Sequence, residues 1–361
     1  MFSPLFSPGD TGEDRAASQV PVVRLARHRI RLDDGHLVGV AIAGRGMPLV
    51  VVHGFSAEGV LYAQTLWRLV SMGFKVVAID TAGHGRTPLP KRDPIRLDAY
   101  VDVLLRSLDH LGIRHAFLMG HSMGGRLALE VAGRDPDRVA ALVLLDAIAG
   151  KPWDRTVAGW FRCPPSLAAL GARLTLDTVT TIPITDRDQT AKLLSLMTRT
   201  AIQSIRPGRL LLPGLAIMLA GDSAAVLDRA GAAGVPGVVV HGAGDLGVPL
   251  AAARDAARRL HGPLVVVRGA RHSWVLRDPE TLPSIFADLL DTTLGNAWRG
   301  AVERAGLDPA AATLSEIEDA MCAPRPLLAE LTPPLQFVTR GPRRKPPTFR
   351  WRIEQPEPNP S

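Results

Sequence analysis

The sequence predicts an α/β fold: a mostly parallel sheet covered by helices on both faces, with a helical cap inserted before the last strands. Strand patterns alternate with helix patterns along most of the chain, which favours a parallel sheet. Several strands are all-apolar runs, as expected for strands buried on both faces. The alternation stops over residues 147–230, where no strand pattern appears. The length of 361 residues allows one large or two small domains.

Composition excludes several other classes of protein. Hydrophobic residues make up 46% of the chain and charged residues 21%, so a sizeable core can form. Two cysteines, Cys163 and Cys322, build no disulfide framework and fit a reducing compartment. The N-terminus lacks the basic start and apolar core of a signal peptide. No apolar run reaches about 18 residues. We therefore expect a cytoplasmic protein, with membrane association left open.

The net charge of +7 raises the question of an anionic partner. The basic residues are mostly arginines scattered along the chain, and their densest cluster is residues 340–345 in the tail. No nucleic-acid module accompanies them, so we expect no nucleic-acid partner. The basic tail leaves a peripheral contact with an anionic membrane open, although stable anchoring needs a second signal such as a lipid chain.

The first half of the chain contains most of the predicted sheet. Residues 1–22 are predicted to form a flexible leader, and residues 28–42 a β-hairpin that turns at Asp33-Asp34-Gly35. Buried strands and helices then alternate up to residue 146. The predicted strands are 48–52, 74–80, 116–119 and 139–146, and the predicted helices are 63–72, 97–111 and 126–132.

The second half begins with the predicted cap, residues 147–230, whose apolar content suggests a lipophilic substrate. The sheet is predicted to resume near residue 235, so the core comprises residues 23–146 and 231–291. It continues with helix 251–260, strand 263–268 and helix 279–290. Residues 292–361 form an extension in which 296–305 and 314–322 are predicted helices, the second capped by Thr313. Beyond Pro324 the chain is proline-rich and basic, and we expect it to be extended or disordered.

The sequence Gly120-x-Ser122-x-Gly124 stands between an apolar run and a helix pattern. This is the strand–turn–helix context of a nucleophile elbow. Glycine is placed two residues either side of the serine because larger side chains would clash in so sharp a turn. The serine hydroxyl is then presented near a helix N-terminus, where developing negative charge is favoured.

A second motif, His53-Gly54-Phe55, directly follows a buried strand. Acyl transfer passes through a tetrahedral oxyanion that needs backbone N–H donors. We expect one donor to be the amide of Phe55 and the other to be the amide of Met123, directly after the serine.

Further chemistry-bearing residues follow other predicted strands. Asp245 and His272 lie on post-strand loops, near the carboxyl edge of the sheet where ligands gather in open α/β sheets. Asp146 ends a strand as well and is a rival to Asp245. His84 also lies on such a loop, but we assign it a structural role because His272 is better placed.

Together these motifs resemble the α/β-hydrolase superfamily over residues 28–290, with the serine, aspartate and histidine in the family's chain order. The resemblance implies that Ser122 is the nucleophile, His272 the base and then the acid, and Asp245 the orienting carboxylate. Some members of the family use the position of Asp146 instead. A serine at the elbow argues against epoxide hydrolases and haloalkane dehalogenases, which resemble this family but use an aspartate there.

The resemblance implies a serine hydrolase that acts on small-molecule carboxylic esters or thioesters with an apolar acyl group. An acyltransferase, a cofactor-free haloperoxidase and a carbon–carbon bond hydrolase use the same triad and stay open. So does a binding protein that has lost catalysis. No cofactor is expected, since the elbow lacks a phosphate-loop pattern and the histidines lack metal-ligand spacing.

Overall fold

The computed structural model describes residues 22–23, 25–55, 62–162, 177, 208–209, 211–334, 337–338 and 346–356. Most of the predicted leader, the 167–176 part of the predicted cap and the basic cluster at residues 340–345 lie outside these ranges.

In the described part of the chain, nine strands form one sheet and two short strands form a second. The order in the large sheet is β11-β9-β8-β7-β6-β4-β5-β3-β2. Neighbours from β9 to β5 in this order run parallel, whereas the β11–β9, β5–β3 and β3–β2 pairs are antiparallel. The predicted mostly parallel α/β sheet is confirmed. The strands are β1 Val22–Val23, β2 Ala26–Arg31, β3 Leu37–Ala43, β4 Met47–Val52, β5 Phe74–Ile79, β6 Ala116–His121, β7 Val139–Leu145, β8 Gly237–Gly242, β9 Leu264–Val267, β10 Phe337–Val338 and β11 Trp351–Glu354.

Helices connect the parallel strands and extend beyond them. They are α1 Ala63–Val70, α2 Leu97–Leu111, α3 Met123–Arg134, α4 Lys151–Arg162, α5 Leu211–Met218, α6 Ser223–Ala232, α7 Leu250–Arg259, α8 Trp274–Arg277, α9 Thr281–Leu290, α10 Thr293–Arg304, α11 Leu314–Met321 and α12 Leu327–Leu331. The predicted capping of α11 is confirmed, because Thr313 and Glu316 form a capping box.

The central strand β4 explains why the sheet is covered on both faces. Its side chains alternate between two apolar cores: Val50 belongs to one and Leu49 to the other. Leu108 of α2 lies in the first core, and Leu66 of α1 lies in the second. Both cores are buried, so an all-apolar strand is the sequence that this position requires.

The extension after residue 291 contributes to the second core. Trp298 of α10 is buried edge-on against Phe74 of β5, with ring centroids 5.0 Å apart. Glu318 of α11 forms an ion pair with Lys75, whose side chain is fully buried. The amide of Gly46 also donates to Glu318, at 3.3 Å. Helices α10 and α11 are thus packed onto the sheet.

Two elements correct part of the expectation that the chain beyond Pro324 is extended or disordered: helix α12 at Leu327–Leu331 and strand β11. Residues 351–354 form an antiparallel edge strand on β9 instead of a disordered segment. The exposed backbone of an edge strand such as β9 accepts a partner strand readily. A hydrogen bond from Trp351 Nε1 to Asp288 of α9 also fixes the strand, at 2.9 Å. Composition alone does not reveal this pairing.

Between β7 and β8, every described element is helical (α4, α5 and α6). Asp154 of α4 accepts hydrogen bonds from the hydroxyl and amide of Ser223, at 2.7 and 3.1 Å, which ties α4 to the start of α6. No single described helix is long and apolar enough to cross a membrane. Only α5 and α6 taken as a pair pass such a test of length and composition, and they are bent by 69° at their break.

Candidate active site

Ser122 is the single residue between the last residue of β6 and the first residue of α3. Its φ of 53° and ψ of −116° are strained for a residue with a side chain. The flanking glycines have no room for a Cβ: one added at Gly120 would lie 2.2 Å from the carbonyl oxygen of Gly124, and one at Gly124 would lie 2.1 Å from that of Val52. The predicted reason for glycine at both positions therefore applies.

Three side chains from different loops meet at this turn. His272 Nε2 lies 2.9 Å from Ser122 Oγ, and His272 Nδ1 lies 2.8 Å from an Asp245 carboxylate oxygen. The second Asp245 oxygen accepts the amides of Gly247 and Val248 at 2.7 and 2.9 Å, which holds the carboxylate in its own loop. The arrangement is a hydrogen-bonded row of hydroxyl, imidazole and carboxylate.

The electrostatics of the row favour a charged imidazolium. Burial lowers the pKa of His272, but the nearby carboxylates, Asp245 most and then Asp146 and Asp177, together outweigh burial and raise this pKa to about 9. Burial raises the pKa of Asp245, whereas the facing His272 more than offsets it, so the Asp245 carboxyl stays below its ordinary pKa. Such a site stabilises positive charge on the imidazole when it takes a proton.

Asp146, the rival acid, lies next to this row but does not contact the imidazole. One of its carboxylate oxygens accepts the Gly242 amide at 2.7 Å and the other accepts Trp274 Nε1 at 2.8 Å. Burial and then the nearby Asp245 charge raise its pKa well above the ordinary value. The geometry therefore places Asp245, and not Asp146, against His272.

The two predicted oxyanion donors belong to α3 and to the loop after β4. Met123 is the first residue of α3, so its amide is at the helix N-terminus. Phe55 follows β4 by three residues, and its ring packs edge-on against His84 with centroids 5.6 Å apart. The role of these two amides stays a prediction.

His84 and His53 lie near the site, and both bond to Thr81 in the loop after β5. His84 Nδ1 lies 3.1 Å from the hydroxyl of Thr81, and burial lowers the pKa of this imidazole to about 3. His53 Nε2 accepts the amide of Thr81 at 2.9 Å. The interpretation of His84 as a loop residue agrees with these contacts.

Two supporting residues have no signal in the sequence. The buried carboxylate of Asp177 accepts the backbone amides of His272 and Ser273, both at 3.1 Å. Tyr62, just before α1, contacts His121 at the start of the elbow. Each contact joins residues 59 or more positions apart, so local patterns do not reveal it.

Within the described residues, Asp146, His241 and Asp245 are the group close enough together to hold a metal ion, with ligand atoms within 4.8 Å of one another. Both carboxylates are already surrounded by N–H donors of the protein, which suit an anion and not a cation. These residues therefore fit a hydrogen-bonded carboxylate cluster better than a metal centre.

Comparison with known proteins identifies the family to which this fold belongs. Residues 47–279 match the model of the alpha/beta hydrolase fold family. The chain is 38% identical over 265 residues to a candidate non-heme haloperoxidase of Mycobacterium phage D29, a match that covers 72% of this chain and 92% of that protein. It is 37% identical over 98 residues to lipase LipV of Mycobacterium tuberculosis, which is 27% of this chain and 36% of the lipase. The solved structure of a candidate lipase from Acinetobacter baumannii aligns with a TM-score of 0.61 at 19% identity, over 75% of this chain and 93% of that one.

The chain therefore belongs to the α/β-hydrolase family of enzymes. The relatives carry different activities, so membership defines the fold and the class of enzyme while the substrate is a separate question.

Proposed function

We propose that this enzyme is a serine hydrolase that cleaves carboxylic esters or thioesters with an apolar acyl group. The observation that carries the proposal is the row from Ser122 Oγ through His272 to Asp245, with distances of 2.9 and 2.8 Å. A serine hydroxyl is a weak nucleophile unless an adjacent base takes its proton, and the imidazole lies within hydrogen-bond reach.

The proposed reaction has two halves. In the first, Ser122 Oγ attacks the carbonyl carbon while its proton passes to His272 Nε2, and the amides of Phe55 and Met123 bind the oxyanion. The intermediate collapses to acyl-Ser122, and the leaving alcohol or thiol takes the proton from His272. In the second half, water attacks the acyl group with the same histidine as base, and the carboxylic acid leaves.

An apolar acyl group is supported by the side chains beside the serine. Met123, directly after Ser122, belongs to a small buried cluster separate from the two main cores. Trp153 and Trp160 of α4 also belong to this cluster, with ring centroids 5.3 Å apart. Because this cluster continues from the serine into the segment between β7 and β8, an acyl chain bound there would be surrounded by apolar groups.

The test combines labelling and turnover. A fluorophosphonate probe is expected to label the wild-type enzyme but not Ser122→Ala. Hydrolysis of p-nitrophenyl esters and acyl-CoA thioesters of increasing chain length is expected to peak at one acyl length. Ser122→Ala and His272→Ala are expected to lose at least about 10³-fold in kcat. Ser107→Ala is the matched control, because Ser107 is also buried but bonds within α2.

Three outcomes would count against the proposal. Full activity in Ser122→Ala would exclude an acyl-serine route. Labelling without turnover of any ester or thioester would mean that a different bond is broken or a different acceptor is used. Absence of both labelling and turnover would favour a binding protein on the hydrolase fold.

A second candidate, a cofactor-free haloperoxidase, is favoured by the name of the phage relative. Hydrogen peroxide would replace water in attack on acyl-Ser122, giving a peroxycarboxylic acid that oxidises halide. Halogenation that requires a carboxylic acid, hydrogen peroxide and Ser122 would support this activity. If ester hydrolysis is faster than halogenation at saturating substrates, halogenation is a side reaction of the hydrolase.

A further inference from the structure

A second row of hydrogen bonds runs behind Ser122. The Tyr62 hydroxyl lies 2.9 Å from Nδ1 of His121, and Nε2 of His121 lies 3.0 Å from the backbone carbonyl oxygen of His272. All three side chains are buried. Gly54, in the same loop as Tyr62, lies close to His121 Nδ1. The row therefore joins the loop after β4, the elbow and the histidine loop.

The donor and acceptor capacity of each group determines where the protons lie in this row of hydrogen bonds. A carbonyl oxygen only accepts, so His121 must donate from Nε2 to His272. Burial lowers the pKa of His121 to about 3, so the ring is neutral at working pH and its Nδ1 is an acceptor. The Tyr62 hydroxyl must then donate to Nδ1. Every donor points the same way, which lets neighbouring bonds strengthen one another.

The packing around His121 leaves little freedom for the ring. Its centroid lies 5.1 Å from that of His272 and 5.7 Å from that of Tyr62. A Cβ at Gly54 would lie 2.7 Å from His121 Nδ1 and 3.3 Å from Ser122 Cβ, so the loop after β4 touches both elbow residues. A shift of the His121 ring would move the backbone on either side of the candidate site.

We propose that Tyr62 and His121 are positioning residues that hold the candidate oxyanion loop, the nucleophile elbow and His272 at fixed separations. The proposal rests on the proposed function. Tyr62 fixes the His121 ring through Nδ1, and His121 fixes the carbonyl of the residue whose imidazole faces Ser122. The sequence offers no sign of this link, because Tyr62 and His272 are 210 positions apart.

The first test is Tyr62→Phe, which removes one hydroxyl and keeps the ring. We expect kcat to fall about 10- to 100-fold, because small misplacements of reacting groups cost this much, while KM changes less than about twofold. The chain's other tyrosine gives a matched control: Tyr100 is buried and donates to the carbonyl of Pro94 at 2.7 Å on α2, away from the site. Tyr100→Phe is expected to keep wild-type kcat.

A pair of variants separates the hydrogen bond from packing. His121→Gln retains an N–H donor for the carbonyl of His272, whereas His121→Leu has none. We expect the glutamine variant to keep at least about tenfold more activity than the leucine variant at similar thermal stability. Equal activity of the two, or wild-type kcat in Tyr62→Phe, would overturn the positioning role.

The hydrogen bonds of Tyr62 and His121 can also be tested without measuring turnover. In ¹⁵N-histidine NMR, His121 is expected to be one neutral tautomer protonated at Nε2 from pH 5 to 9, with Nδ1 shifting when Tyr62 becomes Phe. A proton on Nδ1, or titration within that range, would refute the row. If this signature is present but Ser122 is not labelled by fluorophosphonate, the proposed function fails and the structural row stands.

Discussion

Asp245→Asn tests which carboxylate orients the imidazole. Asparagine keeps one carbonyl oxygen for the amides of Gly247 and Val248, so the loop is expected to keep its shape. It replaces the charged oxygen 2.8 Å from His272 Nδ1 with a neutral amide group. If the amide donates to Nδ1, the proton moves to Nε2, and the ring can no longer accept the proton of Ser122.

The size of the effect follows from the pKa of His272. That pKa is about 9, against 6.5 for an ordinary histidine, and the difference corresponds to roughly 3 kcal/mol of imidazolium stabilisation. Asp245 contributes the most to this stabilisation. Because the imidazolium forms in the transition state, Asp245→Asn is expected to lower kcat/KM at least about 100-fold. A base must be neutral, so the wild-type rate should rise with pH up to about 9. In Asp245→Asn this inflection should move to lower pH, because burial of the unpaired ring favours its neutral form.

The assay is a pH profile of kcat/KM for the best p-nitrophenyl ester, corrected for its uncatalysed hydrolysis. Asp146→Asn is the matched control, since Asp146 bonds Gly242 and Trp274 and does not contact the imidazole. It is expected to move the inflection less than Asp245→Asn does, because the Asp245 carboxylate raises the pKa of His272 more than Asp146 does. If Asp146→Asn moves the inflection and Asp245→Asn does not, Asp146 is the orienting acid and the reasoning is wrong.

Glu318→Ala is expected to lower the free energy of unfolding by about 3–5 kcal/mol in urea melts, because it leaves Lys75 buried without a partner. The double change to Lys75→Met and Glu318→Leu should recover most of that loss, and no recovery would contradict a dominant ion-pair effect. Gly124→Ala is expected to abolish both folding and labelling, since its Cβ would lie 2.1 Å from the Val52 carbonyl oxygen, and a soluble, labelled protein would refute the tight turn. Asp177→Ala is expected to lower kcat about tenfold with a small change in melting temperature, because it removes the acceptor of two amides in the histidine loop. An unchanged kcat would show that the loop holds its shape without this carboxylate.

The elements of the sheet were predictable because their signals are local. The apolar run at β4 and the hairpin of β2 and β3 lie within two residues of their predicted positions. Strand β11 was not predictable, because its residues share the proline-rich and basic composition of the sequence around them. Its structure depends on the free edge of β9, which lies more than 80 residues earlier.

The candidate site likewise has features that the sequence predicted and features that it did not. The elbow could be recognised because the spacing of Gly120, Ser122 and Gly124 is a steric requirement of the turn itself. The sequence favoured Asp245 over Asp146 through the family resemblance, but only the tertiary structure shows which of the two faces His272. Both carboxylates follow neighbouring strands, β8 and β7, and approach the same edge of the sheet, so only side-chain direction distinguishes them.

By itself the sequence determined the α/β architecture, the strained serine and the chain order of the three candidate residues, because periodicity and glycine spacing act over a few residues. The tertiary structure decided which acid faces His272, how Asp177 and Tyr62 support the site, and that α10 and α11 belong to the core. These are contacts between distant segments. Their geometry is set by how helices and strands pack, which no local pattern of residues contains.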